Sequence, residues 1–369
     1  MKCTIEHIAI TIMGIGLYFL FGSSCIPEKR LLVNGTLYGR AIQTTVDDEL
    51  ARLMLIDPNS REVESLFAAH ESEPLSTTTL AGIAEEHSMD VATLYFMQRA
   101  YQNERNKSAQ DRYLAHLDQF GGDSVGPQLA ALKGYYVAFV PGLDYNDTTN
   151  GGNFARQRRL LSAHGVQNEM IVTGDWGYTD DNAAIVAARL KELSVEHERI
   201  IVVSASKGGL ETAVALGRIM KPEESTAVKA WVSVGGILKG SPVADTYLHW
   251  PKCWVAEVGL KFVGQKIDLV KDVSYAKRAD EFDGFTFPEH LMRLHFIGAP
   301  LATQVEKRIR SHYCSISSFG PNDGITPLAD EVTDDGVIIT ELGLDHYYKS
   351  PDIDKKTIAL ALVVAEEQN

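Results

Sequence analysis

The apolar positions of the later two-thirds of the chain fall into short, dense runs: residues 135–140, 170–172, 200–203, 230–234, 294–297 and 337–340. Runs of this length, rich in Val, Ile, Phe and Tyr and broken by Gly, Pro or polar clusters, predict strands buried within a sheet. Between them, residues 181–193 and 209–220 have helical character, the first capped by Thr179 or Asp180. Strands alternating with helices argue for an α/β fold, a mostly parallel sheet with helices on both faces. Chemistry in such sheets collects at the carboxyl ends of the strands. Upstream, residues 28–119 read as helices, one opening at Asp47-Asp48-Glu49-Leu50 and another over residues 61–69. The Gly-, Ser- and Pro-containing stretch 120–127 reads as a linker.

The most specific segment is residues 199–211, RIIVVSASKGGLE. A strand-forming run enters Ser204-Ala205-Ser206-Lys207-Gly208 and turns at once into a helix-forming stretch. A serine bracketed two positions away on each side by small residues, at a strand-to-helix turn, is the nucleophile-elbow pattern. The usual form is Gly-x-Ser-x-Gly; here Ser204 replaces the first glycine and is still small. An ordinary crossover with an incidental serine fits the same five letters, so the weight falls on the downstream strand ends. Asp323, in Pro321-Asn322-Asp323-Gly324, comes after the next-to-last strand, and His346, in Gly343-Leu344-Asp345-His346-Tyr347-Tyr348, comes after the last. The order Ser, Asp, His is that of α/β-hydrolases.

With Pro141-Gly142-Leu143 and Val234-Gly235-Gly236 added, the chain from about residue 134 to 367 resembles an α/β-hydrolase of the lipase/esterase kind. Two positions depart from common lipases: Pro141 stands where His often precedes Gly, and Ser204 stands in the elbow. The resemblance implies a carboxylic-ester hydrolase acting on an ester or lipid-like small molecule, with no cofactor. Ser206 is then the nucleophile, His346 the base that takes its proton, and Asp323 the carboxylate that orients the imidazole. The backbone N–H groups of Leu143 and Lys207 are the expected oxyanion donors, and the Lys207 side chain is expected to face solvent. The fold commonly carries a cap after the fourth of the six predicted strands. Residues 241–290, with Tyr247, Trp250, Trp254, Phe262, Phe282 and Phe285, are its expected position.

Each assignment has a rival. Ser204 and Ser233 also lie near strand ends, but Ser204 lacks a small-residue bracket of its own, which favours Ser206. Asp245 could supply the acid; the Asn-Asp-Gly turn favours Asp323. Asp345 reads as a loop charge, because neighbouring side chains normally point apart. His295, inside an apolar run, reads as a satisfied core histidine, and His312 remains a loop candidate.

The amino terminus predicts where the protein acts. A fourteen-residue apolar run from Ile8 to Phe21, followed by Gly22-Ser23-Ser24-Cys25, suits a signal peptide over residues 1–24. A cysteine after the cleavage point suggests bacterial lipoprotein processing, with lipid on Cys25, membrane association through that lipid and residence at the cell envelope. Plain secretion and an uncleaved start are the alternatives. The layout is thus leader 1–24, helical region 25–126, and catalytic domain 127–369. A hydrophobic fraction of 45% supplies a full core, and the net charge of −14 argues against nucleic acid, whose phosphates need a basic face. Residues 80–95 superficially resemble a helix-turn-helix, but they are acidic and lie behind the export signal. No His/Cys cluster suggests a metal. Cys253 and Cys314 could pair in an oxidising compartment or remain thiols. An acyltransferase or thioesterase using the same triad, and a catalytically silent binding module, are the competing function classes.

Overall fold

The computed structural model describes residues 30–120, 126–146, 152–262 and 264–368. The expected leader, Cys25, and most of the 120–127 stretch lie outside the described residues. The chain forms two compact units. One combines the residues up to Phe96 with Lys239–Asp280 and Ala299–Ala329; the other combines Met97–Leu238, Glu281–Gly298 and Asp330–Asn369.

The first unit opens with β1 (Leu31–Leu37) and β2 (Arg40–Val46), an antiparallel hairpin inside the region expected to be helical throughout. Its two-residue turn, Tyr38-Gly39, has positive φ at both positions (53° and 73°), the turn geometry that matches strand twist. Gly35 explains why the strand is hard to see in the sequence. A Cβ there would stand 2.4 Å from the Leu55 carbonyl oxygen, so the position is reserved for close approach of the following helix. The expected helices come next: α1 (Glu49–Ile56), capped by the Asp48 carboxylate accepting from the Leu50 N–H, then α2 (Arg61–Ala69), α3 (Thr77–Glu86) and α4 (Met89–Tyr101).

The second unit holds the sheet. Helix α5 (Glu104–Gln119) leads to β3 (Tyr136–Val140), α6 (Ala155–Ala163), β4 (Asn168–Met170), α7 (Thr179–Glu196), β5 (Ile200–Ala205), α8 (Lys207–Val214) and β6 (Val228–Val234). The chain then passes through α9 (Lys252–Phe262) and α10 (Tyr275–Asp283), so the stretch expected as a cap contains helices. It returns through β7 (Met292–Ala299) and β8 (Val337–Leu342) to α11 (Ile353–Glu367). Strand order is β4-β3-β5-β6-β7-β8, and the described pairings from β4 to β7 are parallel.

Alternation along the strands explains why their sequences read as unbroken apolar runs. Val137, Phe139, Ile201, Val203, Val232 and Phe296 join one hydrophobic core with α11 and with Tyr113 of α5. Their neighbours Ala138, Val202, Trp231 and Ile297 point the other way and are equally buried. A sheet covered on both faces has no wet side to mark with polar residues.

Three boundaries differ from the sequence reading. The β4 ladder ends at Met170 rather than Val172. Helix α7 begins at Thr179 with Tyr178 in the cap position, so neither Thr179 nor Asp180 caps it. Helix α8 passes into a π-helical turn at Ala215–Ile219.

Candidate active site

The turn from β5 into α8 is built by sterics. Ser206 has φ 51° and ψ −123°, a conformation that costs a non-glycine residue free energy and persists only when its surroundings impose it. Gly208 imposes part of it: a Cβ there would lie 2.3 Å from the Pro141 carbonyl oxygen. Gly209 is nearly as tight, 2.8 Å from the Gly236 Cα. The Ser206 N–H donates to the Val234 carbonyl at 3.1 Å, and its carbonyl accepts from Ile237 at 3.2 Å, fixing the elbow to the end of β6. Ser204, the departure from the usual glycine, is buried and accepts from Trp231 Nε1 at 2.7 Å. A small polar residue is useful there because it satisfies an indole N–H on the covered face.

Ser206 Oγ lies 2.8 Å from His346 Nε2, across 140 positions of sequence. The loop that presents His346 is anchored two residues on. The Tyr348 hydroxyl donates to the Phe296 carbonyl at 2.9 Å and accepts from the Gly298 N–H at 2.7 Å, with Tyr348 at φ 47°. Asp345 is buried, 4% exposed, and its carboxylate accepts from the Tyr347 N–H at 3.1 Å. Asp345 is thus a loop charge, as read from the sequence, but a buried one.

The loop after β3 passes over the serine: a Cβ on Gly142 would lie 3.3 Å from Ser206 Cβ. It is tied down at Tyr145, whose N–H donates to Asp175 Oδ1 at 2.7 Å and whose hydroxyl donates to the Thr173 carbonyl at 2.6 Å. Burial pushes the Tyr145 phenol up, with the charges of Asp175 and Glu211 adding to the shift.

The Lys207 side chain does not face solvent. It is 4% exposed and donates to Glu211 one turn along α8, a helix buried at every position. A cation in such a helix must bring its counter-charge with it. Glu211 also accepts from Asn182 Nδ2 at 2.7 Å, and Asn182 exchanges two hydrogen bonds with Gly174, beside the Thr173–Asp175 anchor.

The remaining candidates resolve individually. Asp323 is fully buried, and its Oδ1 accepts from the N–H groups of Ile325 (2.8 Å) and Thr326 (2.9 Å) in the first unit. Asp245 accepts weakly from Ala276, and burial raises its carboxyl. His295 is a core histidine paired to Thr333 at 2.8 Å, and burial holds its imidazole down to about 3. His312 is hydrogen-bonded to Tyr247 at 2.9 Å. The Ser233 hydroxyl is buried without a partner among the described residues. Cys253 is a free thiol, so it does not pair with Cys314.

Ser206 and His346 open onto a cleft of about 1230 Å³ within the second unit, with Gly142, Val234, Tyr347 and the amino-terminal part of α6 in its walls. Sequence reasoning missed Tyr348, Asn182 and Glu211 as supports and α6 as a wall. Tyr348 and Glu211 stood inside segments singled out from the sequence, without a role assigned to either.

Among solved structures, the chain resembles a metagenomic carboxyl esterase at 20% identity and a TM-score of 0.51, over 64% of this chain and 77% of that one. A Bacillus licheniformis lipase in its mature form is similar at 20% identity and a TM-score of 0.48, over 62% and 89%. No family model matches the chain, and no curated protein matches it. The parallel sheet, its order and the first of these likenesses establish the α/β-hydrolase fold.

Proposed function

We propose that this protein is a serine hydrolase that cleaves carboxylic esters through an acyl-enzyme, with Ser206 as nucleophile and His346 as general base. The reading rests on the 2.8 Å approach of Ser206 Oγ to His346 Nε2, on a serine held at positive φ. A serine hydroxyl is a weak nucleophile unless a base takes its proton as it attacks. Oγ adds to the ester carbonyl carbon while its proton passes to Nε2. The tetrahedral adduct then collapses, the bond to the alcohol oxygen breaks, and Nε2 returns the proton to the departing alcohol. Water repeats the sequence on the acyl-enzyme, releasing the acid and restoring Ser206.

The developing oxyanion is assigned to two backbone donors. Lys207 begins α8, where the first N–H groups lack intrahelical acceptors. Leu143 follows Gly142 on the loop that crosses Ser206. Loss of one such donor costs roughly 100- to 1000-fold in rate. The orienting carboxylate is assigned to Asp323 by chain order and by its loop, in which the backbone N–H groups of Ile325 and Thr326 donate to Oδ1 and fix the carboxylate in place. Ahead of the enzyme, the leader is read as an export signal with lipid on Cys25, which mass spectrometry of the mature amino terminus tests.

A fluorophosphonate probe and p-nitrophenyl esters of graded chain length test the function. Wild type labels and turns over. Ser206→Ala abolishes both, and His346→Ala and Asp323→Asn each lower turnover by about 10³- to 10⁴-fold. Asp345→Asn, which keeps an acceptor for the Tyr347 N–H, stays within a few-fold. Undiminished turnover in Ser206→Ala ends the proposal.

A further inference from the structure

The wall of the cleft contributed by α6 carries charge of one sign. Ala155, Arg158, Arg159 and Ser162, spaced as one helical face, all line it, together with Arg156 and Lys349. No Asp or Glu is among the described lining residues, in a chain whose net charge is −14. Arg156 is paired with Asp354 at 2.7 Å and also donates to the Pro351 carbonyl. Arg158 and Arg159 form no ion pair with any described residue. Arg158 Nε is buried with no acceptor, and Arg159 Nε reaches only the Ala155 carbonyl at 3.2 Å.

Two further features make these arginines costly where they stand. A helix amino terminus carries positive partial charge and favours acidic side chains, yet α6 has none in its first turn and places three arginines within its first five residues. A guanidinium N–H removed from water without an acceptor is a desolvation cost that structures rarely leave unmet. An anion in the cleft relieves the first cost, and the terminal nitrogens of both guanidinium groups remain as donors for it. Violations of local rules of this kind concentrate at functional sites.

Building on the assignment of Ser206 as an esterase nucleophile, we propose that the natural substrate is an ester bearing an oxyanion, a carboxylate or a phosphate, which Arg158 and Arg159 bind while Ser206 attacks the acyl carbon. The guanidinium pair offers planar donors suited to either oxyanion, and the walls contributed by Phe154, Val234 and Ile353 receive the apolar part.

The experiment measures kcat/KM for matched anionic and neutral esters on the intact protein. One arm compares mono-p-nitrophenyl glutarate with p-nitrophenyl valerate, placing the charge on the acyl side. The other compares dihexanoyl phosphatidylglycerol with dihexanoylglycerol, placing it on the alcohol side as phosphate. The expected result is a preference of at least about tenfold for the anionic partner in one arm, the size of a charge-assisted contact, and the arm identifies the oxyanion. That ratio falls toward one in Arg158→Gln/Arg159→Gln, returns in part in Arg158→Lys/Arg159→Lys, and shrinks with added salt. An Arg61→Gln/Lys133→Gln variant makes the same change in net charge at two exposed sites outside the cleft and keeps the preference. Thermal melts confirm that each variant is folded. Ser206-dependent hydrolysis with no anionic preference in either arm, or a preference that survives the double Gln change, overturns this inference and leaves the esterase reading standing. Absence of both labelling and hydrolysis in wild type removes the two together.

Discussion

Lys207 and Glu211 form an ion pair one helical turn apart, with side chains 6% and 2% exposed, on the helix that follows Ser206. Breaking such a pair from one side leaves a charge without water or partner, which typically costs about 3–5 kcal/mol. Glu211→Gln is therefore expected to destabilise the protein by that order, and more than the double change Lys207→Met/Glu211→Leu, which removes both charges. Chemical denaturation of wild type, Glu211→Gln and the double variant makes the comparison. Equal losses in Glu211→Gln and the double variant would show that the pair does not hold the elbow helix.

Tyr348 anchors to β7 the loop that presents His346. Tyr348→Phe removes the hydroxyl that bridges the Phe296 carbonyl and the Gly298 N–H, both on β7. The expected result is a fall of about 10- to 100-fold in kcat with KM nearly unchanged, and a matching slowing of fluorophosphonate labelling. A variant that loses stability but labels Ser206 at the wild-type rate would assign Tyr348 a purely structural role.

Two glycines in helices should respond to the same substitution in opposite directions. Gly208→Ala places a methyl group 2.3 Å from the Pro141 oxygen, so the elbow or the loop above it must shift. Activity is expected to fall by orders of magnitude. Gly82→Ala, inside α3 with nothing within 4 Å, should stabilise by up to about 1 kcal/mol through helix propensity and unfolded-state entropy. Thermal melts and ester turnover on both variants check the contrast.

The range of each interaction decides how much of it the sequence discloses. The elbow was legible because its demands are local: a serine at positive φ, and Gly208 two residues on with no room for a side chain. The strands were legible because burial on both faces leaves unbroken apolar runs. Ser204 shows the limit, since its use depends on Trp231, a neighbour in the sheet but 27 positions away. Lys207 was misread for a related reason: a lysine after a turn looks solvated until the packing of α8 removes the water and Glu211 answers it. The burial of Asp345 was equally illegible, because it depends on how the loop after β8 folds and not on neighbouring letters. The β1–β2 hairpin escaped because Gly35 breaks its pattern for the sake of a contact with Leu55. The arginines of α6 carry no signal in the sequence until the fold sets them beside Ser206.

The first unit contains a buried carboxyl pair whose titration should appear in its stability. Asp90 accepts from the N–H groups of Asp47 and Ala302, both at 2.8 Å, and the Asp47 carboxylate accepts from the Ser88 hydroxyl at 2.7 Å. Burial, reinforced by the neighbouring Asp47 charge, pushes Asp90 up to about 7. Because the folded value lies above the unfolded one, native Asp90 keeps its proton where the unfolded chain has lost it. The stabilisation is complete below about pH 4 and is lost as pH rises through about 7. Asp47→Asn removes the like charge, keeps an acceptor for Ser88, and supplies an amide donor to an ionised Asp90. It should raise stability at pH 8 more than at pH 5, flattening the slope between them. Denaturation midpoints of wild type and variant at the two pH values decide it, and parallel curves would mean that Asp90 is already ionised at pH 5.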